Sequence, residues 1–484
     1  MREKVDILIK NGLVVDGTGI PGYKANVAII GERIHSISAK KEFQAEHIID
    51  VNGKVVAPGF IDCHTHDDRV LLDEPDMKCK VTQGVTTVVA GNCGISLAPF
   101  DPEGEWELPI PLPLLGRRDQ YRFPYFGDFV RAFKMSPPSI NAAFLCGHNT
   151  LRAEAMKGEI DRAADLKEIA QMREKLRDAM KNGAIGLSSG LMYPAGFAAP
   201  TREISCLAAD VGKLGGVYAT HLRDEAEDLL GSVEEAAEIG REGDLPVILS
   251  HHKVTGRSNW GATKLSLKKI EKLAKRQKIY LDVYPYAASA TALMPDRLSI
   301  AEKILIVSSD SHPEKVGQYL RDIAFDWGVS EIMAAERLLP AQAIYFAMDE
   351  ADVRRVLGHS RAMIGSDGIP GTETPHPRLW GTFPRVLGHY SRELGLFNLE
   401  TAVYKMTGLT AQVFGFKDRG VLREGAIADI TVFNPETVID CANFEKPIQM
   451  SSGIIHVLVR GQIVFEDSAL TSSRPGRLVQ REAV

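Results

Sequence analysis

Five short apolar runs end on residues that bind metal ions or move protons. GFIDCHTH ends on His64-Thr65-His66, TTVVAGNCG carries Cys93, GVYATHL carries His221, VILSHH ends on His251-His252 and MIGSD ends on Asp367. In a strand, residues i and i+2 face one side, so His64 and His66 point together while Thr65 points away. The same alternation lets only one of His251 and His252 face inward, and position does not decide which. Neutral imidazole and thiolate are favoured zinc ligands, and a carboxylate is the usual base or extra ligand. Four histidines, one cysteine and one aspartate at five strand ends suit one or two zinc ions. The chemistry that follows is hydrolysis by a metal-activated water, with Asp367 as the general base that takes the water proton and returns it to the leaving group.

Each member alone has a bland reading. A lone strand-end histidine is more often a hydrogen-bonded structural residue, and a lone Cys93 is an inert buried thiol. The set outweighs its parts because every member falls at the same end of its strand. His148 ends another apolar run and reads as a pocket-lining residue rather than a ligand. His35, His47 and His456 read as packing or surface residues, and His312 lies in an insertion.

The elements that must position the set are legible as texture. From about Gly59, eight apolar pieces recur: GFIDCHTH, TTVVAG, NAAFLCGH, GAIGLSSG, GVYATHL, PVILSHH, IYLDVYPY and RAMIGSD. Amphipathic stretches such as AADLKEIAQMREKLRDAMKNG and SVEEAAEIGREG lie between them. Apolar strands alternating with helices predict an α/β fold, and eight is the count of a (β/α)8 TIM-type barrel, whose chemistry sits at the C-terminal strand ends. Residues 1–58 and 415–484 read instead as short strands and turns, and are expected to pair into one small β-sandwich beside a barrel over 59–414. The stretch of about 290–350 is too long for a βα connection. It predicts a helical insertion before the last barrel strand, of the kind that covers a site.

Composition narrows the class. The 484 residues are 44% hydrophobic and 25% charged, which excludes a disordered or collagen-like chain. Net charge is −6 with no long basic block, so neither nucleic acid nor a membrane surface is an expected partner. The six cysteines form no C-x-x-C pair, no apolar run reaches the ~20 residues of a membrane span, and the first residues lack a signal-peptide core. A cytoplasmic protein is expected. No signal for an oligomeric state is present.

PGFIDCHTHDD, QGVTTVVAGNCGISLAP, GVYATHLRDE, VILSHHK, MIGSDG and HPRLWGTFPRVLGHYSRELGLF together resemble the amidohydrolase superfamily, and within it the N-acyl-D-amino-acid deacylases (D-aminoacylases). The H-x-H piece marks only the superfamily; GNCGISLAP and HPRLWGTFPRVLGHYSR are far more specific. The resemblance implies zinc-dependent hydrolysis of the amide bond of small-molecule N-acyl-D-amino acids; D-selectivity comes from it alone. Carried over by motif, a tight zinc is held by Cys93, His221 and His251, and the motif spacing favours His251 over His252. Cys93 sulfur also reaches a second, weaker metal position at His64 and His66. Many amidohydrolases bridge two metals with a carboxylated lysine on strand four; GAIGLSSGL offers none, and Cys93 replaces it.

The resemblance also implies substrate contacts. Lys253, Tyr284 and Arg378 match positions that hold the α-carboxylate, and Tyr193 matches one beside the scissile carbonyl. The bland reading of Lys253 and Arg378 is solvated surface charge. Met192, Tyr345 and Met348 match the side-chain pocket, and their apolar character favours a hydrophobic D-amino acid. Arg297 could favour an acidic side chain instead, making the alternative an N-acyl-D-glutamate or D-aspartate deacylase. A cyclic-amide hydrolase of the hydantoinase or dihydropyrimidinase kind shares the H-x-H but usually uses the bridging lysine. A non-catalytic barrel would be expected to lose ligands, and all are present here.

Overall fold

The computed structural model describes residues 3–101, 103 and 106–482. The chain opens with β1 (Glu3–Val14), β2 (Tyr23–Ile30), β3 (Arg33–Ser38), β4 (Phe43–Asp50) and β5 (Val55–Pro58). β1 is long enough to serve two partners on one edge. Its first part runs parallel to β4 from Glu3↔Phe43 to Lys10↔Asp50, and its end runs parallel to β5 at Leu13↔Val55. β2 lies antiparallel on the other edge.

Eight parallel strand positions follow. They are β6 (Phe60–Asp62), β7 (Val85–Ala90), a third strand broken at Leu145 into β8 (Asn141–Phe144) and β9 (Cys146–Gly147), β10 (Gly186–Gly190), β11 (Val217–His221), β12 (Val247–Leu249), β13 (Ile279–Val283) and, after an insertion, one more. The insertion contributes β14 (Ser289–Ala292), β15 (Lys303–Ser309) and β16 (Ala341–Phe346), and β17 (Ala362–Ile364) completes the eight. Sequence neighbours are spatial neighbours: β6-β7-β8 form one set and β9-β10-β11-β12-β13-β17 the other. The sets join at both sides. β8 and β9 are one run of chain, while Cys63 N donates to Ile364 O at 3.5 Å and Thr65 bridges Gly368 in parallel. The eight strands therefore follow one cyclic order. β7, VTTVVA, is buried throughout, as a strand covered on both faces must be.

Helices over Leu166–Lys181, Thr201–Lys213 and Leu229–Gly243 connect successive strands. The first begins on a capping box, Asp165 accepting from Glu168 N while the Glu168 side chain reaches back. Its Met172, Leu176 and Ala179 are buried at helical spacing and face the strands. No helix among the described residues is long and apolar enough to cross a membrane.

The insertion corrects one expectation. It is mixed rather than helical: β14, β16 and β15 form an antiparallel sheet, packed by helices Leu320–Trp327 and Glu331–Leu338. KILIVSS and AQAIYF are short apolar runs without helical spacing, and their residues interlock with Leu320, Ile323 and Leu338.

The chain then returns to its beginning with β18 (Ile430–Phe433), β19 (Ile454–Val459), β20 (Gln462–Glu466) and β21 (Ala469–Leu470). β18 pairs antiparallel with β5, Ile430↔Pro58, so both ends share one nine-stranded sheet. The tail leaves that sheet, and Leu478 and Val479 run beside Ala142 of β8.

Candidate metal centre and substrate cavity

Strand ends bring the chemistry together. His221 is the last residue of β11, Cys93 follows β7, His251 follows β12, and Asp367 follows β17. Cys93, His251 and Asp367 adopt left-handed backbone, with φ of 51°, 36° and 48°. Such angles are uncommon outside glycine and gather at functional turns. Gly94, beside Cys93, has φ +76°, and a Cβ there would strike Asn149 Oδ1. Ser188 Oγ of β10 accepts from Gly94 N at 3.0 Å and holds the same turn.

Cys93 Sγ lies 3.3 Å from His64 Nε2 and 3.3 Å from His251 Nε2. The ring centres of His221 and His251 are 4.4 Å apart. Asp367 Oδ1 lies 3.4 Å from His64 Nε2 and 3.2 Å from His66 Nε2. Two donor groups result, Cys93 with His221 and His251, and Cys93 with His64, His66 and Asp367. Within each, one atom per residue lies within 4.8 Å of every other. Cys93 belongs to both. His252 turns away, its Nε2 2.8 Å from Ser266 Oγ.

The electrostatics suit a cation. Burial pushes the Cys93 thiol up, but His64 and His251 outweigh it and hold the thiol well below its usual range. Burial lowers His221 and keeps it neutral, and both its ring nitrogens are buried without a hydrogen bond. A soft sulfur, imidazoles and an unsatisfied buried ring together fit zinc.

Residues behind these donor groups orient them. Asp282 lies 3.2 Å from His64 Nδ1 and accepts from His251 N at 2.8 Å. Glu225 Oε1 lies 3.2 Å from His251 Nδ1 and 2.7 Å from Lys253 Nζ, and Oε2 lies 3.5 Å from His221 Nε2. Lys80 is fully buried beneath the H-x-H turn. Its Nζ reaches Asp62 Oδ2 at 2.7 Å and the hydroxyls of Thr65 and Ser366 at 2.9 Å each, tying β6 to the turn after β17. Sequence reading missed Asp282, Glu225 and Lys80. Asp282 inside the apolar run IYLDV was the available signal, and so was Glu225 four residues after His221.

Met192, Tyr193, Lys253, Arg297, Tyr345 and Asp367 line one cavity with His66, His221 and His251. Tyr193 Oη is 2.9 Å from Thr291 Oγ1. Arg297 Nε is buried there without a hydrogen bond. Tyr284 and Met348 lie behind, in a smaller cavity also bounded by His251 and Lys253. Arg378 is fully buried rather than solvated, its guanidinium 4.6 Å from the Tyr284 ring. His148 stands apart, 2.9 Å from Glu203.

A chain with this strand order and this donor set has well-defined kin. The amidohydrolase family profile matches residues 47–465, and the chain belongs to that family. It is 48% identical over 478 residues to a D-aminoacylase from Alcaligenes xylosoxydans xylosoxydans, covering 99% of this chain and 98% of the relative. Among solved structures, a D-aminoacylase superposes with a TM-score of 0.96 at 48% identity, covering 99% of this chain and all of the other. An N-acyl-D-glutamate deacylase from Bordetella bronchiseptica, complexed with zinc and a phosphonate mimic of the tetrahedral intermediate, superposes at 0.93 with 42% identity and the same coverage.

Proposed function

We propose that the chain is a zinc-dependent amidohydrolase that cleaves N-acyl-D-amino acids to a carboxylate and a free D-amino acid. The observation that carries this reading is the meeting of Cys93 with His221 and His251 on one side and His64, His66 and Asp367 on the other. Full-length likeness to deacylases of N-acyl-D-amino acids supports the substrate class. A cyclic-amide hydrolase has less support, since β10 reads GLSSG and offers no bridging lysine.

The finer reading is as follows. Residues 59–414 form a (β/α)8 barrel interrupted over about 290–350, and 1–58 with 415–484 form the β-sandwich. Cys93, His221 and His251 hold one tight zinc, and His64 and His66 share Cys93 with a second, weaker position. Six free cysteines fit a reducing, cytoplasmic setting.

Bound zinc supplies Lewis acidity toward the amide oxygen and lowers the pKa of water toward ~7. Asp367 accepts the proton of the attacking water and returns it to the leaving nitrogen. Tyr193 donates a hydrogen bond to the oxygen that gains charge. Arg378, Lys253 and Tyr284 receive the α-carboxylate, and Met192, Tyr345 and Met348 face the side chain, where apolar groups favour a hydrophobic D-amino acid. Ammonium and guanidinium groups in a dry site suit a carboxylate.

Amine release from N-acetyl-D- and N-acetyl-L-amino acids, with apolar and with acidic side chains, tests the reading. Turnover of D substrates that is lost on chelation and restored by zinc is expected. Absence of turnover from the zinc-loaded chain on every D substrate refutes it.

A further inference from the structure

A third cavity adjoins the catalytic one. It is a groove of about 1050 Å³ between the loop of residues 106–120 and the insertion. Two stretches of chain line both spaces. Ala290, Thr291 and Met294 face the catalytic cavity while Ala292 and Leu293 face the groove. Asp367 and Ile369 face the catalytic cavity while residues 370–372 face the groove. Ile110, a groove residue, supplies a third link, because it packs against the cluster of Cys93, Met192, Tyr193 and Met294.

The position of that cluster gives the groove a direction. Lys253 and Arg378 flank the Tyr284 ring at 5.8 and 4.6 Å, which fixes the carboxylate end of a substrate. Tyr193 marks the carbonyl, and its apolar neighbours there are Met192 and Met294, backed by Ile110. A substrate anchored by its carboxylate and presenting its carbonyl to Tyr193 turns its acyl carbon toward Met294 and Ile110. Beyond them the groove offers Trp106, Leu108, Leu293 and Leu339. Met294 is unbranched and can swing aside at the junction.

We propose that this groove receives the alkyl chain of a medium- or long-chain acyl group, so that the substrates include N-fatty-acyl-D-amino acids. The proposal rests on the deacylase reading above and extends it from the reacting amide to the acyl tail. Each methylene buried in the groove contributes up to roughly fourfold in kcat/KM.

The test is kcat/KM for N-acetyl-, N-butanoyl-, N-octanoyl- and N-dodecanoyl-D-methionine, below micelle-forming concentrations, with the zinc-loaded chain and with Leu108→Asp and Leu339→Asp. These two half-buried residues lie on opposite walls of the groove and outside the catalytic cavity. From acetyl to octanoyl, kcat/KM is expected to rise by about tenfold or more. Both variants should lose that rise and keep wild-type turnover of the acetyl substrate. A flat or falling chain-length series overturns the proposal, as does a rise that survives in both variants. If no member of the series is hydrolysed, the deacylase reading itself falls; a wild-type acetyl rate with no gain from longer chains removes only the groove's role.

Discussion

Arg378 Nη1 lies 2.9 Å from Asp367 Oδ2. The guanidinium assigned to the substrate carboxylate thus already neutralises the carboxylate assigned as base. Burial pushes the Asp367 carboxyl up, but Arg378 and His251 outweigh it and hold the group well below the usual carboxylate range. A base held so low is always ionised and is a weak proton acceptor. Under the proposed roles, a substrate carboxylate that shared Arg378 would relax this pairing and make Asp367 more basic. Arg378→Met is therefore expected to raise KM for N-acetyl-D-methionine by about 10- to 100-fold, the range for losing one or two charge-assisted hydrogen bonds. The corresponding amide, N-acetyl-D-methioninamide, should show a much smaller change. Equal losses on acid and amide would remove the carboxylate role from Arg378. Asp367→Ala should lower kcat by roughly 10²- to 10⁴-fold while zinc at Cys93, His221 and His251 is retained, measured by metal analysis. Near-normal kcat in that variant would end the base assignment.

Glu225 touches the imidazoles of His221 and His251 and the ammonium of Lys253, so it bears on both the orientation and the charge of the two rings. Burial pushes its carboxyl up, but Lys253, His221 and His251 hold it far below the usual range. Glu225→Gln keeps the shape and removes the charge. Zinc affinity, measured by competition with a chelator, is expected to fall about 10- to 100-fold. An unchanged affinity would mean that the imidazoles are held by packing alone.

What the sequence disclosed and what it withheld divide along a physical line. All eight apolar pieces overlie strands, because burial on both faces writes a continuous apolar run into the chain. The strand-end histidines, Cys93 and Asp367 stood out because reactive residue types ended those runs together. Lys80, by contrast, looks solvated in KCKVTQG; its burial becomes intelligible only once the fold brings Asp62 and Thr65, 18 and 15 residues away, and Ser366, 286 residues away, around its Nζ. Alternation left His251 and His252 open because it says that the two point opposite ways and not which one points inward; the fold turns His251 to Cys93 and His252 to Ser266. The insertion was misread because strands of its kind and buried helix segments look alike when short.

Arg297 divides the two side-chain readings. It lines the catalytic cavity with Met192 and Tyr345, and its Nε has no hydrogen bond in the protein. If it meets an acidic side chain, Arg297→Met should lower kcat/KM for N-acetyl-D-glutamate by roughly 10- to 100-fold relative to N-acetyl-D-methionine. Parallel changes on the two substrates would assign Arg297 a packing role and favour the apolar reading.

Lys405 carries a pH signature distant from the metal centre. It is buried, and its Nζ donates to His359 O and to Ala362 O, the latter at 3.2 Å at the start of β17. Burial without a counter-charge lowers its pKa from 10.5 to about 8. Between about pH 8 and 10.5 the unfolded chain therefore binds more protons than the folded one at this site, and stability rises with pH across that window. Below pH 8 both states are protonated and the contribution is flat. Lys405→Met removes the titration. The stability difference, wild type minus variant, is expected to move in favour of wild type by on the order of 3 kcal/mol between pH 7.5 and 10.5, the shift converted at 1.36 kcal/mol per unit. Urea unfolding of both proteins at several pH values, with zinc present and absent, measures it. A difference that stays constant with pH would place the Lys405 ammonium in contact with water, contrary to its burial.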